Sequence, residues 1–251
     1  MPDGMPKVAV VTGGARGIGR GCALALADHG YDIALVDLLV PEMRKTAVEI
    51  ESRGRMVMEF EADVAGFARA HEVTRDIMQA WGRIDFLLNN AGRSMAKGIL
   101  EITEDEWDRT IDINLKSCFN WCHAVAPVML AQGGGRIVSM SSLNAHTGGV
   151  TSAVSRFSYA AAKAGIHGLT RALAKELGPT INVNAISPGV IETEVGNTLT
   201  RSRGPELAKG IALGRLGTPQ DVASLVAFLA SSEPCFITGQ DFIVDGFQWV
   251  A

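Results

Sequence analysis

Tyr159 and Lys163 stand four residues apart in the stretch Phe157-Ser158-Tyr159-Ala160-Ala161-Ala162-Lys163, and Ser142 lies seventeen positions upstream of the tyrosine. On a helix that spacing puts a phenol and an ammonium on one face, one above the other. A cation beside a phenol favours the phenolate, which suits the pair to give and take a proton. A serine hydroxyl nearby could hold a substrate oxygen while the proton moves. Two residues at helical spacing recur by chance in many helices, so the pair gains meaning only from what precedes it.

What precedes it is a glycine-rich turn more than a hundred residues earlier, Thr12-Gly13-Gly14-Ala15-Arg16-Gly17-Ile18-Gly19, placed after an apolar run. Glycines there let the backbone approach a pyrophosphate, and the following helix N-terminus offers amide donors and a favourable dipole. The spacing is G-x-x-x-G-x-G rather than the commoner G-x-G-x-x-G, and a tight turn without a ligand would also account for it. Asp37, 18 residues after Gly19, ends the second apolar run. A carboxylate there accepts hydrogen bonds from an adenosine ribose and repels a 2′-phosphate. Leu38 and Leu39 follow where an NADP site would want a basic residue, and Arg16 is the one cation of the loop that could meet such a phosphate. The balance favours NAD(H) over NADP(H). The turn and the tyrosine–lysine pair together indicate redox chemistry.

These groups need a scaffold, and the pattern supplies one. Short strand-like runs over 7–12, 32–37, 56–60, 84–90, 136–141, 181–186 and 240–245 alternate with helical stretches over 20–29, 42–52, 67–81, 113–131, 159–177 and 219–230. Thr103 and Glu106 have the spacing of a capping box that opens a further helix through Trp107. Strands alternating with helices predict one α/β domain spanning 1–251, a doubly wound Rossmann-type fold with a seven-stranded parallel sheet and helices on both faces. Ligands of such sheets bind beyond the carboxyl ends of the strands. The glycine turn, Asn90, Ser142 and Pro188-Gly189 all follow strands, so one rule puts them on one rim.

The order and separation of these motifs resemble the short-chain dehydrogenase/reductase family over nearly the whole chain. The resemblance rests on Thr12 to Gly19, Asp63-Val64, Asn89-Asn90-Ala91-Gly92, Asn114, Ser142, Tyr159, Lys163, Pro188-Gly189-Val190-Ile191-Glu192-Thr193 and the ending from Gly239 to Gly246. It implies Tyr159 as acid/base, Ser142 as the group orienting the substrate oxygen, and Lys163 as a partner of both the tyrosine and the nicotinamide ribose. It further implies that Asn114 holds a relay water, that Asp63 and Val64 contact adenine, and that Thr193 and the backbone after Pro188 secure the carboxamide. A homotetramer is implied too, with the helices from Ile113 and Tyr159 and the apolar tail Phe247 to Ala251 at its interfaces.

Composition narrows the partners. A net charge of −4 gives no reason to expect nucleic acid or an anionic membrane. No apolar run approaches a membrane span, and the N-terminus lacks a signal-peptide pattern, so a cytoplasmic setting is expected. Cys22, Cys118, Cys122 and Cys235 lack disulfide spacing. Cys118 and Cys122 beside His123 read as helix packing, and no metal is expected.

Two stretches depart from the family pattern. The segment 143–158 is a few residues longer than the family's usual stretch between serine and tyrosine and is polar, including Thr151 and Ser152, and its Arg156 or His146 is a candidate contact for a polar or anionic substrate; a solvated arginine and a packing histidine are the plainer alternative. Residues 194–213, with Arg201 and Arg203, suit a substrate lid. Three functions compete. One is an NAD-linked dehydrogenase of a secondary alcohol, sugar or polyol and its ketone. The second is a 3-oxoacyl-thioester reductase using NADPH or NADH, its substrate carried by an acyl-carrier protein or coenzyme A. The third is a cofactor sensor without turnover.

Overall fold

Strand β1, Lys7–Thr12, shows why the sheet is parallel and covered on both sides. Successive side chains of a strand point to opposite faces, and here both faces are apolar. Ala9 and Val11 enter one core with Leu26, Ile33 and Val226; Val8 and Val10 enter the other with Ile77, Trp121 and Met129. Fully burying one such branched side chain contributes about 1.5–3 kcal/mol. The two helical layers are therefore held on by the same strands.

The structure, a computed structural model, describes residues 5–149, 155–194 and 198–248, the side chains of 198–203 excepted. Thr151 and Ser152 of the long segment, the side chains of Arg201 and Arg203, and Trp249 to Ala251 of the tail lie outside the described residues. The other strands are β2 (Tyr31–Asp37), β3 (Val57–Glu61), β4 (Phe86–Asn89), β5 (Gly135–Met140), β6 (Ile181–Pro188) and β7 (Asp241–Val244). They form one seven-stranded sheet in the order β3-β2-β1-β4-β5-β6-β7, parallel throughout. The order reverses direction between β1 and β4, which opens a crevice at their carboxyl ends.

The first helices are α1 (Gly17–Asp28), α2 (Val40–Glu51) and α3 (Phe67–Trp81). Then come α4 (Glu104–Ile111), α5 (Ser117–Gln132), α6 (Asn144–Thr147) and α7 (Phe157–Leu177). The last are α8 (Thr198–Lys209) and α9 (Pro219–Ser231). The capping box at Thr103 forms as expected, its hydroxyl accepting from Glu106 N while the Glu106 carboxylate accepts from Thr103 N.

Two boundaries differ from expectation for a reason that bears on the site. Helix α1 begins at Gly17, three residues before the sequence pattern suggests, because Gly17 and Gly19 let its first turn sit on the preceding loop. The helix expected over 113–131 is in fact the continuation of α4 through a π-helical turn, Asp112–Lys116, into α5. One extra residue per turn is invisible to hydrophobic periodicity, and such turns concentrate at functional sites. This one carries Asn114.

Candidate active site

The crevice is built first by glycines. Gly13 has a positive φ of 65°, and a Cβ there would sit 2.8 Å from Ala91 Cα. A Cβ on Gly19 would collide with the Gly13 carbonyl. Only bare backbone allows the loop, the first turn of α1 and the end of β4 to lie this close. Thr12 and Asn90 then lace them together. Thr12 Oγ1 donates to Leu88 O and accepts from Asn90 N and Ala91 N, while Asn90 Nδ2 donates to Thr12 O and Gly13 O at 3.1 Å. Exposed Arg16 is the N-cap of α1 without a side-chain capping bond, and the first turn holds no acidic residue. That leaves amide donors and a positive dipole end for an anion. Ile18 turns away and packs on the core.

Asp37 closes β2 beside this loop. Its two oxygens accept from Ala15 N at 3.0 Å and Leu39 N at 3.1 Å, and Thr46 Oγ1 fixes Ala15 from the other side. Asp63 follows β3, its oxygens accepting from Ala65 N and from Arg109 Nη2 at 2.7 Å. Partial burial opposes ionisation there, but the Ala65 amide and the Arg109 guanidinium outweigh it and hold the carboxyl below its ordinary range. Val64 is buried beside it.

The proton-transfer group lies across the crevice. Lys163 Nζ donates to Met140 O at 2.7 Å, and Ser141 Oγ donates back to Lys163 O at 2.9 Å. These reciprocal bonds fasten the end of β5, and with it Ser142, to the turn of α7 that carries Tyr159 and Lys163. The ammonium is 5.6 Å from the centre of the Tyr159 ring. Lys163 is only 3% exposed, while Tyr159 and Ser142 are half-buried and reachable. Ser142 Oγ accepts from Asn144 N, which orients it.

Asn114 is anchored through its side chain. Its amide is taken up by backbone: Oδ1 accepts from Arg93 N, and Nδ2 donates to Arg93 O and Thr110 O at 2.9 Å. The side chain therefore clamps the loop after β4 to the π-helical turn. A Cβ on Gly92 would meet Asn114 Oδ1 at 2.9 Å and Lys163 Nζ at 3.4 Å, so loop, asparagine and lysine converge. On the far side, Leu143 N donates to Pro188 O, Gly189 N to Val244 O and Val190 N to Gln248 Oε1. Ile191 bridges to Gly217, and Thr193 ends the stretch. All the candidate residues follow the carboxyl ends of strands or face them from α7 and the π-helical turn. A separate cavity of about 380 Å³ lies between Arg93–Met95 and α4, lined by Asp105, Glu106 and Arg109 but not by Ser142 or Tyr159.

A family model described as enoyl-(acyl carrier protein) reductase matches residues 13–246. The chain is 39% identical to the oxidoreductase UcpA of Salmonella typhimurium, covering 96% of this chain and 93% of that one. It is 38% identical to the 3-oxoacyl-[acyl-carrier-protein] reductase FabG of Staphylococcus epidermidis, over 98% of this chain and 100% of the relative. A short-chain dehydrogenase/reductase from Brucella melitensis, titled glucose/ribitol dehydrogenase, superimposes with a TM-score of 0.89 at 33% identity, covering 98% of each chain. The chain belongs to the short-chain dehydrogenase/reductase family. With membership comes the enzyme class, oxidation or reduction at a CH–OH carbon with a nicotinamide dinucleotide.

Between Ser142 and Tyr159 lie the two candidate substrate contacts. Both have partners within the chain. His146 Nε2 lies 2.7 Å from Asp241 Oδ2, at the start of β7. The exposed Arg156 donates its amide to Met95 O, with its guanidinium beside Gly98. Sequence reasoning did not single out His167, Asp241 or Ser187. His167 carried a usable signal, since it is four residues after Lys163 and shares its face of α7. Burial holds His167 below the ordinary imidazole range, opposed by Asp241 and aided by His146 and Arg171. No described helix is long and apolar enough to cross a membrane.

Proposed function

We propose that this dehydrogenase/reductase interconverts a secondary alcohol, such as a sugar, polyol or hydroxy compound, and its ketone with NAD(H), using Tyr159 as the proton donor and acceptor. The observation that supports the reading is the pair of reciprocal bonds between Met140-Ser141 and Lys163, which ties the strand end leading to Ser142 to the helix that carries Tyr159. The crevice fits a dinucleotide: its glycine cradle would be filled by any Cβ, and the ammonium of Lys163 is buried with Met140 O as its one hydrogen-bond partner among the described residues. An ammonium has three donors, so a ribose hydroxyl would complete it.

When bound, the nicotinamide supplies or takes up the hydride. In oxidation Tyr159 as phenolate accepts the substrate hydroxyl proton. In reduction Tyr159 returns that proton to the forming alkoxide, and Ser142 donates a second hydrogen bond to the same oxygen. A positioned acid/base contributes about 10²–10⁴-fold and a donor to a developing oxyanion about 10²–10³-fold. Asn114 holds the Arg93 loop, and the backbone after Pro188 together with Thr193 lines the carboxamide end. Residues 194–213 serve as the substrate lid. Asp37 favours NAD(H), because its carboxylate, fixed by two amides, accepts ribose hydroxyls and repels a 2′-phosphate. The exposed Phe119 and Leu130 of α5 support the homotetramer that the resemblance implies.

The likeness to FabG over its full length favours a second reading, reduction of a 3-oxoacyl thioester. Initial rates of acetoacetyl-thioester reduction with NADH and NADPH in parallel, with Tyr159→Phe as the blank, decide between them. Fast turnover that depends on the tyrosine makes the enzyme a 3-oxoacyl reductase. Turnover no higher than the blank, with NAD-linked oxidation of a polyol, sugar or hydroxy acid, establishes the first reading. Tyr159→Phe as active as wild type on either substrate overturns the mechanism.

A further inference from the structure

Behind Ser142, on the side away from the glycine loop, three stretches of chain bring lone pairs to one point. Asp241 opens β7, His167 stands one helical turn beyond Lys163 on α7, and His146 comes from α6. Asp241 Oδ2 is 2.7 Å from His146 Nε2 and 3.2 Å from His167 Nε2. The two imidazole rings lie 4.7 Å apart, and one ligand atom from each of the three residues fits within a span of 4.8 Å.

The hydroxyl protons around the cluster are already assigned. Ser187 Oγ donates to Asp241, 2.8 Å from Oδ1 and 3.0 Å from Oδ2. Ser141 Oγ donates to Lys163 O and so presents a lone pair to His167 Nε2, 2.8 Å away. The Ser187 oxygen also faces that nitrogen, at 3.4 Å. A carboxylate oxygen therefore faces both imidazoles, and the two serine oxygens face His167. A proton on each ring can serve this arrangement one contact at a time; a cation at the centre serves it all at once.

We propose that His146, His167 and Asp241 form a binding site for one divalent transition metal ion of the zinc class, bracing α6 against α7 and β7 beside Ser142. Two imidazoles and a carboxylate are a donor set of borderline character that suits Zn²⁺ and Co²⁺ better than Mg²⁺ or Ca²⁺. Zinc bonds to such ligands are about 2.0–2.2 Å long, so ligand atoms stand roughly 3–4 Å apart, close to the spacings already present. The outer shell is in place, because the Ser187 hydroxyl fixes the carboxylate as outer-shell donors do in metal sites. Entry is open from one side: the side chains of His167 and Asp241 are 11% and 8% exposed, His146 23%. The fourth position falls to Ser141 or to water. No metal was expected from the sequence, since the ligands come from positions 146, 167 and 241 and form no spaced motif. The site is independent of the coenzyme and substrate reading.

The test uses the full chain without an affinity tag, stripped with chelator and titrated with Co²⁺ while visible absorption is followed. The expected result is a d–d spectrum that saturates at one ion per chain and disappears on adding Zn²⁺. His146→Gln, a change at the accessible edge that spares the fold, should weaken binding at least roughly tenfold, as losing even an outer-shell partner does. Asp241→Asn should abolish it. His123→Gln, in the exposed His71–His123 pair, should leave it intact. Zn²⁺ should raise the melting temperature of the wild type but not of His146→Gln. An absent or non-saturating signal, a signal that survives His146→Gln and Asp241→Asn, or one lost in His123→Gln, overturns the proposal.

Discussion

The two halves of the rim are held by different kinds of bond. Around the glycine loop nearly every tie has backbone at one end: Thr12 and Asn90 bind main-chain groups of the facing strand, and Asp37 takes the amides of Ala15 and Leu39. Beyond Ser142, toward β7, backbone bonds such as Leu143 N to Pro188 O are joined by a cluster of ties from side chain to side chain, His146 to Asp241, Ser187 to Asp241 and Ser141 to His167. Bonds of that second kind are a small minority in folded proteins, about 10–15% of the total. The difference has a consequence for change. The cofactor half depends on where the backbone goes, so it tolerates few substitutions; the other half depends on side chains that can be exchanged without moving the main chain. One chain can thus keep a fixed dinucleotide crevice while its substrate end varies.

The sharpest way to break this contrast is Gly19→Ala. The added methyl meets the Gly13 carbonyl, which is backbone and cannot rotate aside. Overpacking of this kind costs about 1–3 kcal/mol and occasionally more. Because relief requires moving the loop, binding should suffer more than folding. NADH titrations followed by fluorescence should show at least a hundredfold weaker affinity, about 2.7 kcal/mol, with a melting temperature only a few degrees lower. Affinity within twofold of wild type would mean that the loop is not the pyrophosphate seat.

The same contrast explains what the sequence made legible. Residues of the cofactor half sit in short local motifs, because backbone geometry is encoded by neighbours: Gly13 to Gly19 within one turn, Asn90 directly after β4. The inner strands β1, β2 and β4 were legible because each is an apolar run with both faces covered. The π-helical turn was not, since one extra residue shifts Asn114 inward without altering which residues are apolar, and so its clamp on Arg93 stayed hidden. Nor was the His146–Asp241 pair, 95 residues apart, because nothing local to either residue announces the other. Pairings of that length depend on the register of β7 against β6, which places Asp241 opposite Ala185.

Asp37→Asn probes the cofactor half by charge alone. The amide oxygen keeps the acceptor for Leu39 N, while the negative charge that disfavours a 2′-phosphate is gone. Hydrogen bonds to charged groups contribute roughly 1.5–3 kcal/mol against about 1 for neutral ones, so NADH should lose about tenfold in kcat/KM and the NADPH-to-NADH ratio should rise by at least that factor. Steady-state rates with both coenzymes read this directly. An unchanged ratio would remove Asp37 from coenzyme selection.

The smallest effect is expected where the cofactor half is supported from outside. Helix α9 packs on α1, with Pro219 tight against Gly21, and starts from a capping box in which Thr218 Oγ1 accepts from Asp221 N while the Asp221 carboxylate accepts from Thr218 N. Thr218→Ala removes one side of that box and should cost about 1 kcal/mol of stability. Coenzyme affinity should stay unchanged, since no backbone of the crevice moves. The Arg215 guanidinium, then the Thr218 amide and hydroxyl, hold the Asp221 carboxyl well below the usual carboxylate range. A depressed carboxyl stabilises the folded chain in full above its unfolded value near about 4 and loses that contribution as pH falls through the lowered one. Urea unfolding at neutral pH should therefore separate Arg215→Ala from wild type, and the gap should narrow as the pH drops below about 4. A gap that stays constant with acidification would show that the arginine acts by packing instead of by holding the carboxylate charged.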